Sequence, residues 1–243
     1  MTSHTPIALG NGKFCYSGPD CKRHGKKTGI FRSIQDVFSR AEKQFPSKIN
    51  LTPSFTQLDF SILIKEHVAN LSSDEQWAFH SYADRSGSIR MNRTLDAGSP
   101  LSPELSELVK NLDSGIAKYK NSSEQELFRG SGHTPEGWEN LSAGDVIEMK
   151  SFTSTSAAPT KAMEFAKDNA QPLLLRITTS KGAPVRTEDD EYEFLLPRGE
   201  KYEVVSFVKN SEVTAGFPSY SDQFPTKTSH VYKGVDVLTL HAL

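Results

Sequence analysis

The chain has 243 residues, of which 36% are hydrophobic and 24% are charged, and its formal net charge is −2. This length is sufficient to bury the core of one large domain or two small ones. The near-neutral charge excludes a global field that would attract nucleic acid or an anionic membrane, and no apolar run approaches the roughly 18 residues that span a bilayer.

Residues 1–29 are predicted to form an N-terminal arm, because they are rich in glycine, lysine and small polar residues and have no sustained apolar period. The arm lacks the basic start and apolar stretch of a secretory signal, and the chain has only two cysteines, so we expect action in a cytoplasm, with any delivery to another cell by a different route. Cys15, Cys21 and His24 suggest zinc ligands, but the first gap is long and no fourth ligand is evident. A solvated basic loop fits the pattern better, and no metal is predicted.

Helical patterns follow, up to about residue 120. Apolar residues recur at three- and four-residue steps over 31–45, and a second helix is predicted over 60–70. A third helix is expected to begin at a cap formed by Ser72 or Ser73, and Ser102-Pro103 is typical of the start of a fourth. We expect the apolar faces of these helices to lie in the core.

Short strands dominate from about residue 121 to the end, with one short helix predicted over 159–167. The predicted strands lie around 127–128, 146–152, 173–177, 192–196, 201–208 and 230–240. Helices followed by strands predict an α+β domain with a largely antiparallel sheet. We expect residues 30–243 to form this single domain.

Three short motifs are the candidates for chemistry. Arg129-Gly130 ends the first predicted strand, Ser154-Thr155-Ser156 follows the second, and Glu191-Tyr192-Glu193 begins a later one. Each motif is weak alone, since another Glu-x-Glu occurs at 124–126 and Ser-Thr-Ser is common in loops. Their order along the chain carries the weight.

With its flanking residues, this set resembles the mono-ADP-ribosyltransferase family of the Arg, Ser-Thr-Ser, Glu-x-Glu type, which includes bacterial toxins and arginine-modifying transferases. The similarity covers 127–130, 144–156 with the helix that follows, and 191–199, and more loosely Tyr82-Ala83 with Met91-Asn92. It implies N-terminal helices packed on a mixed, largely antiparallel two-sheet core. It also implies NAD as a substrate and a protein acceptor modified on arginine by a toxin or effector. An inhibitor or immunity protein is a further partner that the sequence does not identify.

The resemblance also implies roles for the two glutamates. Glu193 would stabilise the oxocarbenium-like ribose formed when the bond to nicotinamide breaks. Residues two apart on an extended chain lie on one face, about 6.6 Å from each other. Glu191 would therefore hold the acceptor guanidinium and take its proton, since arginine is a poor nucleophile while protonated.

The other motif residues would bind NAD or support the glutamates. Arg129 would bind the pyrophosphate, Gly130 would let its backbone approach nicotinamide, and Ser154 would orient Glu193. Thr155, also in the expected NAD-binding set, and Ser156 would shape the turn and cap the next helix.

Two aromatic residues and one loop add detail. Phe152 and Phe165 are candidates for contact with nicotinamide, although burial tendency favours core packing for both. The loop 181–190 lacks the aromatic residue usual in the family. The loop is acidic close to Glu191, which favours a basic target surface.

Three other functions stay open at this point. An NAD glycohydrolase would use the same site with water as the acceptor, and Glu191 alone distinguishes the two. A hydrolase of O-glycosides would use two carboxylates but leaves Arg129 and Ser-Thr-Ser unexplained. A non-enzymatic module that held nucleic acid with the basic arm would bind with steep salt dependence. The net charge and the lack of interleaved aromatic residues in the arm argue against it.

Overall fold

The computed structural model describes residues 47–121, 123–185, 191–221 and 228–243, and the backbone of two strands near the start of the chain. Contacts divide the chain into two units, 1–46 and 47–243. In the first unit, strand β1 (Pro6–Ala8) pairs antiparallel with strand β2 (Phe14–Tyr16). The boundary predicted after residue 29, the helix predicted over 31–45 and the side chains of the candidate zinc ligands lie outside the described residues and stay predictions.

Side-chain caps determine where most helices of the second unit begin. The helices are α1 (Gln57–Ala69), α2 (Ser73–Ala83), α3 (Arg85–Asp96), α4 (Pro103–Lys118) and α5 (Pro159–Ala166). Ser72 and Glu75 form a reciprocal capping box at α2, and Ser102 caps α4 with Pro103 at its first position. The start of α4 and the Ser72 cap are thus as predicted. None of the described helices is long and apolar enough to cross a membrane.

The strands of the second unit form one mixed sheet. They are β3 (Lys48–Leu51), β4 (Gln125–Ser131), β5 (Val146–Met149), β6 (Thr153–Ser156), β7 (Leu173–Thr179), β8 (Ala183–Pro184), β9 (Glu193–Leu196), β10 (Glu200–Gly216) and β11 (Ser229–Ala242). Their order is β3-β10-β11-β7-β4-β6-β9-β8, and β5 pairs with β10 beside this path. The pairs β3–β10 and β7–β11 are parallel, and the other pairs are antiparallel.

The predicted α+β class, with mixed and largely antiparallel strands, is confirmed. The hydrogen bonding differs from the expected pair of sheets, because it links the nine described strands of the second unit into one sheet. The reason is the length of β10, whose 17 residues pair with β5 near its start and with β3 near its end.

The core lies on both faces of the sheet, because side chains along a strand alternate between faces. On one face, Phe128, Leu174 and Val237 pack with Ala162 and Met163 of α5. On the other, a cluster that includes Leu127, Leu175 and Leu238 packs with Phe60 of α1. A third cluster joins α2, α3 and α4 to Phe152 and Leu195. Strands β4 and β9, which flank β6, are therefore held by packing on both sides.

Candidate active site

An open cleft of about 500 Å³ lies where β4, β6, the start of β9 and α5 meet. It is lined by Phe128, Arg129, Gly130, Ser154, Thr155, Ser156, Ala162, Phe165, Glu191 and Glu193. The structure thus brings together in one cleft every residue that the sequence assigns to catalysis or NAD binding.

Strand register explains why motifs so distant in sequence meet. Phe128 of β4 pairs with Ser156 of β6, and Ser156 pairs in turn with Glu193 of β9. The arginine, serine-threonine-serine and glutamate motifs therefore lie side by side on three adjacent strands.

Glu193 is a buried carboxyl group, with 7% of its surface exposed. Burial is the main cause that raises its pKa, to about 7, and the charge of Glu191 acts in the same direction. A hydrogen bond from Ser154 and the positive charge of Arg129 lower the pKa but do not outweigh burial. Near neutral pH this group therefore exists in both the ionised and the protonated form.

Arg129 and Ser154 are linked directly. Nη1 of Arg129 donates to the backbone oxygen of Ser154 at 2.8 Å, so the guanidinium is fixed beside the strand that supports Glu193. A guanidinium has five N–H donors, and this bond uses one of them. The arrangement can present a fixed positive charge to an anionic ligand in the cleft.

The backbone between the two glutamates is bent rather than extended. β9 begins at Glu193, and Tyr192 has φ 51°, a left-handed conformation that is uncommon for a bulky residue. The expectation that Glu191 and Glu193 share one face of an extended strand is therefore wrong in its geometry. Both residues nevertheless line the cleft.

Hydrogen bonds from the end of β6 stabilise this bend. The hydroxyl of Ser156 donates to the backbone oxygen of Glu191 at 2.6 Å, and the N–H of Ala157 donates to the oxygen of Tyr192 at 2.9 Å. The ring of Tyr192 packs edge-on against Phe60 at 5.5 Å between ring centroids. A strained backbone conformation persists only where surrounding contacts hold it in place. These three contacts hold the left-handed conformation of Tyr192, between the two candidate catalytic glutamates.

Thr155 and Ser156 act differently from expectation in one respect. The Thr155 hydroxyl donates to the backbone oxygen of Phe194 at 2.7 Å and ties β6 to β9. Ser156 shapes the turn, as expected, and accepts from the N–H of Ala158. It does not cap α5, because the cap residue of that helix is Ala158, which makes no side-chain capping bond.

Gly130 is required by the packing of α5 on β4. A Cβ atom at this position would lie 1.8 Å from the backbone oxygen of Ala162, far inside van der Waals contact. The close approach of this helix alone explains the glycine.

The two candidate aromatic residues differ in environment. Phe152 is 1% exposed and belongs to the core, as expected from its apolar character. Phe165 is 59% exposed and lines the cleft, so the expectation of core packing is wrong for it. The short helix α5 turns Ala162, Met163 and Ala166 into the core, and Phe165 lies off that face.

Tyr82 and Asn92 also reach the site, although sequence reasoning gave them no role. The Tyr82 hydroxyl lies 3.2 Å from Oγ of Ser154, and Nδ2 of Asn92 donates to the Tyr82 hydroxyl at 3.0 Å. The only sequence signal was the loose similarity around Tyr82 and Asn92.

Within the described residues, no group of His, Cys, Asp and Glu side chains is arranged to hold a metal ion.

Comparison with known proteins gives a family match for this chain. The family model described as ADP-ribosyltransferase exoenzyme matches residues 61–223. The NAD(+)–protein-arginine ADP-ribosyltransferase Tre1 of Pseudomonas putida is 28% identical over 146 residues, which span 60% of this chain and 29% of that protein.

Solved structures share the fold at low sequence identity. Exoenzyme S from Pseudomonas aeruginosa superposes with a TM-score of 0.55 at 15% identity, covering 76% of this chain and 82% of that one. The toxin Plx2a from Paenibacillus larvae gives a TM-score of 0.54 at 15% identity, covering 79% of this chain and 100% of that one. With the three motifs on adjacent strands and the family model spanning most of the second unit, the chain belongs to the ADP-ribosyltransferase exoenzyme family.

Proposed function

We propose that this protein is a mono-ADP-ribosyltransferase that cleaves NAD and transfers ADP-ribose to an arginine side chain of a target protein. The observation that carries the proposal is the meeting of Arg129, Ser154 and Glu193 in one cleft. Family membership supports it, as does the name of the Pseudomonas putida relative, which specifies NAD and protein arginine. The exoenzyme S structure is described as bound to carba-NAD, which supports NAD as the ligand of the corresponding cleft here.

In the first step, the bond between ribose C1′ and the nicotinamide nitrogen breaks. The electron pair leaves with nicotinamide, which becomes neutral and so needs no general acid. The ribose acquires oxocarbenium character, and the ionised carboxylate of Glu193 stabilises that positive charge. Because Glu193 is buried, its charge acts through a medium of lower effective dielectric than water.

Arg129 and Ser154 would prepare NAD and Glu193 for this step. The fixed guanidinium of Arg129 suits the oxygens of the pyrophosphate. Ser154 donates its hydroxyl proton to Glu193 and so holds the carboxylate in place. The exposed ring of Phe165 is available to contact the nicotinamide end of the cleft.

In the second step, a guanidinium nitrogen of the acceptor attacks C1′ and forms the new C–N bond. That nitrogen must lose a proton, and the carboxylate of Glu191 is placed to accept it. Glu191 lines the same cleft as Glu193, with its backbone held by Ser156. Water in place of the acceptor would give NAD hydrolysis.

The proposal extends to the setting of the reaction. The enzyme would act in a cytoplasm, either that of the producing cell or that of a target cell. An inhibitor or immunity protein that covered the cleft would protect a cell in which the active chain is made.

Labelled NAD and a cell lysate test the proposal. Wild-type protein should transfer label to a protein band and release nicotinamide. Glu193→Gln should abolish both reactions, with a loss of at least about a hundredfold, the scale for removing one transition-state charge partner. Glu191→Gln should lose protein labelling yet keep NAD hydrolysis, because only the acceptor step needs its proton transfer.

Glu203→Gln is the matched control, since Glu203 is an exposed carboxylate on β10 outside the cleft, and it should match wild type. Lability of the labelled product to hydroxylamine then tests arginine as the acceptor. Wild-type activity in Glu193→Gln would overturn the assignment of the site. Equal loss of hydrolysis and labelling in Glu191→Gln would overturn the separate role of Glu191.

A further inference from the structure

A chain of hydrogen bonds leads from α3 to the Glu193 carboxylate. Nδ2 of Asn92 donates to the Tyr82 hydroxyl at 3.0 Å and to the backbone oxygen of Phe152, also at 3.0 Å. The Tyr82 hydroxyl lies 3.2 Å from Oγ of Ser154, and Ser154 binds Glu193. Tyr82 is 2% exposed and does not line the cleft.

Simple donor and acceptor rules determine the direction of each bond. The Phe152 oxygen can only accept, so the NH₂ side of the Asn92 amide must face it, and the same NH₂ group faces Tyr82. The Tyr82 oxygen thus accepts from Asn92 and keeps its own proton to donate. Two acceptors lie within reach of that proton, Oγ of Ser154 at 3.2 Å and the Phe152 oxygen at 3.5 Å, and the shorter contact is the one to Ser154. Ser154 has one hydroxyl proton, which goes to the ionised Glu193, so its oxygen is left to accept from Tyr82.

We propose that Tyr82 and Asn92 are positioning residues, which orient the Ser154 hydroxyl so that its proton points at the Glu193 carboxylate. This inference rests on the proposed catalytic role of Glu193. Donors aligned in series polarise one another and strengthen the final bond to the charged group. Neither Tyr82 nor Asn92 need touch NAD for this effect.

The charged groups around Glu193 limit what the chain of bonds can do. Glu191 raises the pKa of Glu193, whereas Arg129 and the Ser154 bond lower it. Burial is the main cause that raises the pKa of Tyr82, and the charge of Glu193 acts in the same direction. Removing the Tyr82 hydroxyl should therefore leave burial and the Glu191 charge less opposed, and the pKa of Glu193 should rise.

The test is a titration of Glu193 in the full chain by ¹³C NMR of labelled glutamate carboxyl groups. A carboxyl that titrates near 7 stands apart from ordinary glutamates near 4.3, and its absence in Glu193→Gln identifies it. Tyr82→Phe should raise this pKa by about one unit, a tenfold change in proton affinity. Asn92→Leu should raise it by less, and the double variant should match Tyr82→Phe, because Asn92 acts through Tyr82.

Tyr202→Phe is the matched control, since Tyr202 is an equally buried tyrosine on β10 outside the cleft, and it should leave the titration unchanged. When NAD cleavage is measured against pH, Tyr82→Phe should move the acidic limb of the kcat/KM profile to higher pH by the same amount as the pKa. Its KM for NAD should stay within about twofold of wild type, as expected when substrate contacts are kept.

An unchanged Glu193 titration in Tyr82→Phe would overturn the inference, even if the variant were less stable or slower, because that pattern is the one a purely structural tyrosine gives. Asn92→Leu supplies the same reading if Tyr82→Phe does not fold. Failure of wild-type protein to cleave NAD would refute the proposed function and leave the titration result standing, so the two failures are distinguishable.

Discussion

The pKa of Glu193 is about 7, so at neutral pH its ionised and protonated forms are about equally populated. Burial and the charge of Glu191 favour the neutral form, and Ser154 with Arg129 favours the charged form. A carboxyl group in this balance responds strongly to ligand charge. The positive nicotinamide ring of NAD should draw Glu193 towards the carboxylate that the chemistry requires.

We therefore predict a pH dependence that originates at Glu193. Its pKa is raised to about 7, and in the proposed mechanism the active form is the carboxylate. Activity should thus be present above this pKa and be lost as the pH falls through it. The measurement is kcat/KM for nicotinamide release between pH 5 and 9, which should fall about tenfold per pH unit on the acidic side.

Removal of the like charge provides the control for this profile. In Glu191→Gln, the acidic limb of nicotinamide release should move to lower pH, because the Glu191 charge raises the pKa of Glu193. A wild-type limb near pH 4.5 would contradict the prediction, since it would assign an ordinary pKa to the catalytic carboxyl.

The sequence predicts the location of some site residues and not of others. Arg129, Ser154 and Glu193 belong to short motifs that occur in a recognisable order along the chain, and all three line the cleft. Tyr82 bonds to a residue 72 positions away, and no local pattern encodes such a contact. Phe165 was misjudged because hydrophobicity predicts burial but not which face of a short helix is turned inward.

At the scale of elements, the contact between β4 and α5 determines one wall of the cleft. Gly130 on the strand lies beneath the Ala162 carbonyl of the helix, and Phe165 extends from that helix into the cleft lining. Any side chain at position 130 must push α5 away from the sheet. The spacing of strand and helix therefore controls the width of the site.

We predict that Gly130→Ala lowers both stability and activity. Its Cβ would lie 1.8 Å from backbone oxygen, and overpacking of this kind costs about 1–3 kcal/mol of unfolding free energy. Displacement of α5 should also weaken NAD cleavage. Denaturant unfolding and nicotinamide release measure the two effects.

The matched glycine is Gly216 at the end of β10, where the described residues nearest to an added Cβ would be Pro53, with Cδ at 3.4 Å, and Leu51, with its oxygen at 3.6 Å. Gly216→Ala should stay within about 1 kcal/mol of wild type in unfolding free energy. If Gly130→Ala behaved like this control, the strand and helix would not be in the close contact described.

Helices and strands were predictable where adjacent residues carry the signal, as a capping residue or a continuous apolar run does. The Ser102-Pro103 start of α4 and the apolar run of β7 can be read directly from sequence. Helix α3 could not, because residues 85–96 contain Gly87 and only three large apolar residues, and Met91 is buried by tertiary packing. The strand β9 starts one residue later than predicted because the bend at Tyr192 depends on β6.

At the scale of the second unit, two buried polar side chains, Glu75 and His67, together link three of the helices. Glu75 of α2 binds Lys118 of α4 at 2.6 Å and accepts from Ser114 at 2.7 Å. His67 of α1 lies between the rings of Phe79 and Tyr119. Burial lowers the pKa of His67 to about 4, so it is neutral in the folded protein at physiological pH.

We predict that His67 makes the protein sensitive to mild acid. Below pH 6.5 the unfolded chain protonates this histidine while the folded chain does not, so stability should fall from pH 6.5 down to about 4. The full loss is at most about 3 kcal/mol from the difference in pKa. Unfolding free energy measured across this range by denaturant titration gives the slope.

His67→Phe should flatten this part of the profile, because phenylalanine fits between the same rings and binds no proton. The Nε2 atom of His67 has no hydrogen-bond partner among the described residues, so this replacement breaks no observed bond of that atom. For Glu75, burial raises the pKa, but hydrogen bonds from Lys118, Ser72 and Ser114 together outweigh it and lower the pKa to about 2. The variant should therefore retain the loss of stability that protonation of Glu75 causes below pH 4.5. An unchanged slope in His67→Phe would show that another group titrates.

The outermost position of β8 restricts how another protein can approach the glutamates. β8 is only two residues long and contains Pro184, which has no N–H, and it covers the strand that begins at Glu193. An uncovered edge would invite a foreign segment to join the sheet by main-chain pairing. Among the described strands, β8 therefore offers little main chain for a foreign segment to pair with, which discourages fibril-like association along this edge of the sheet.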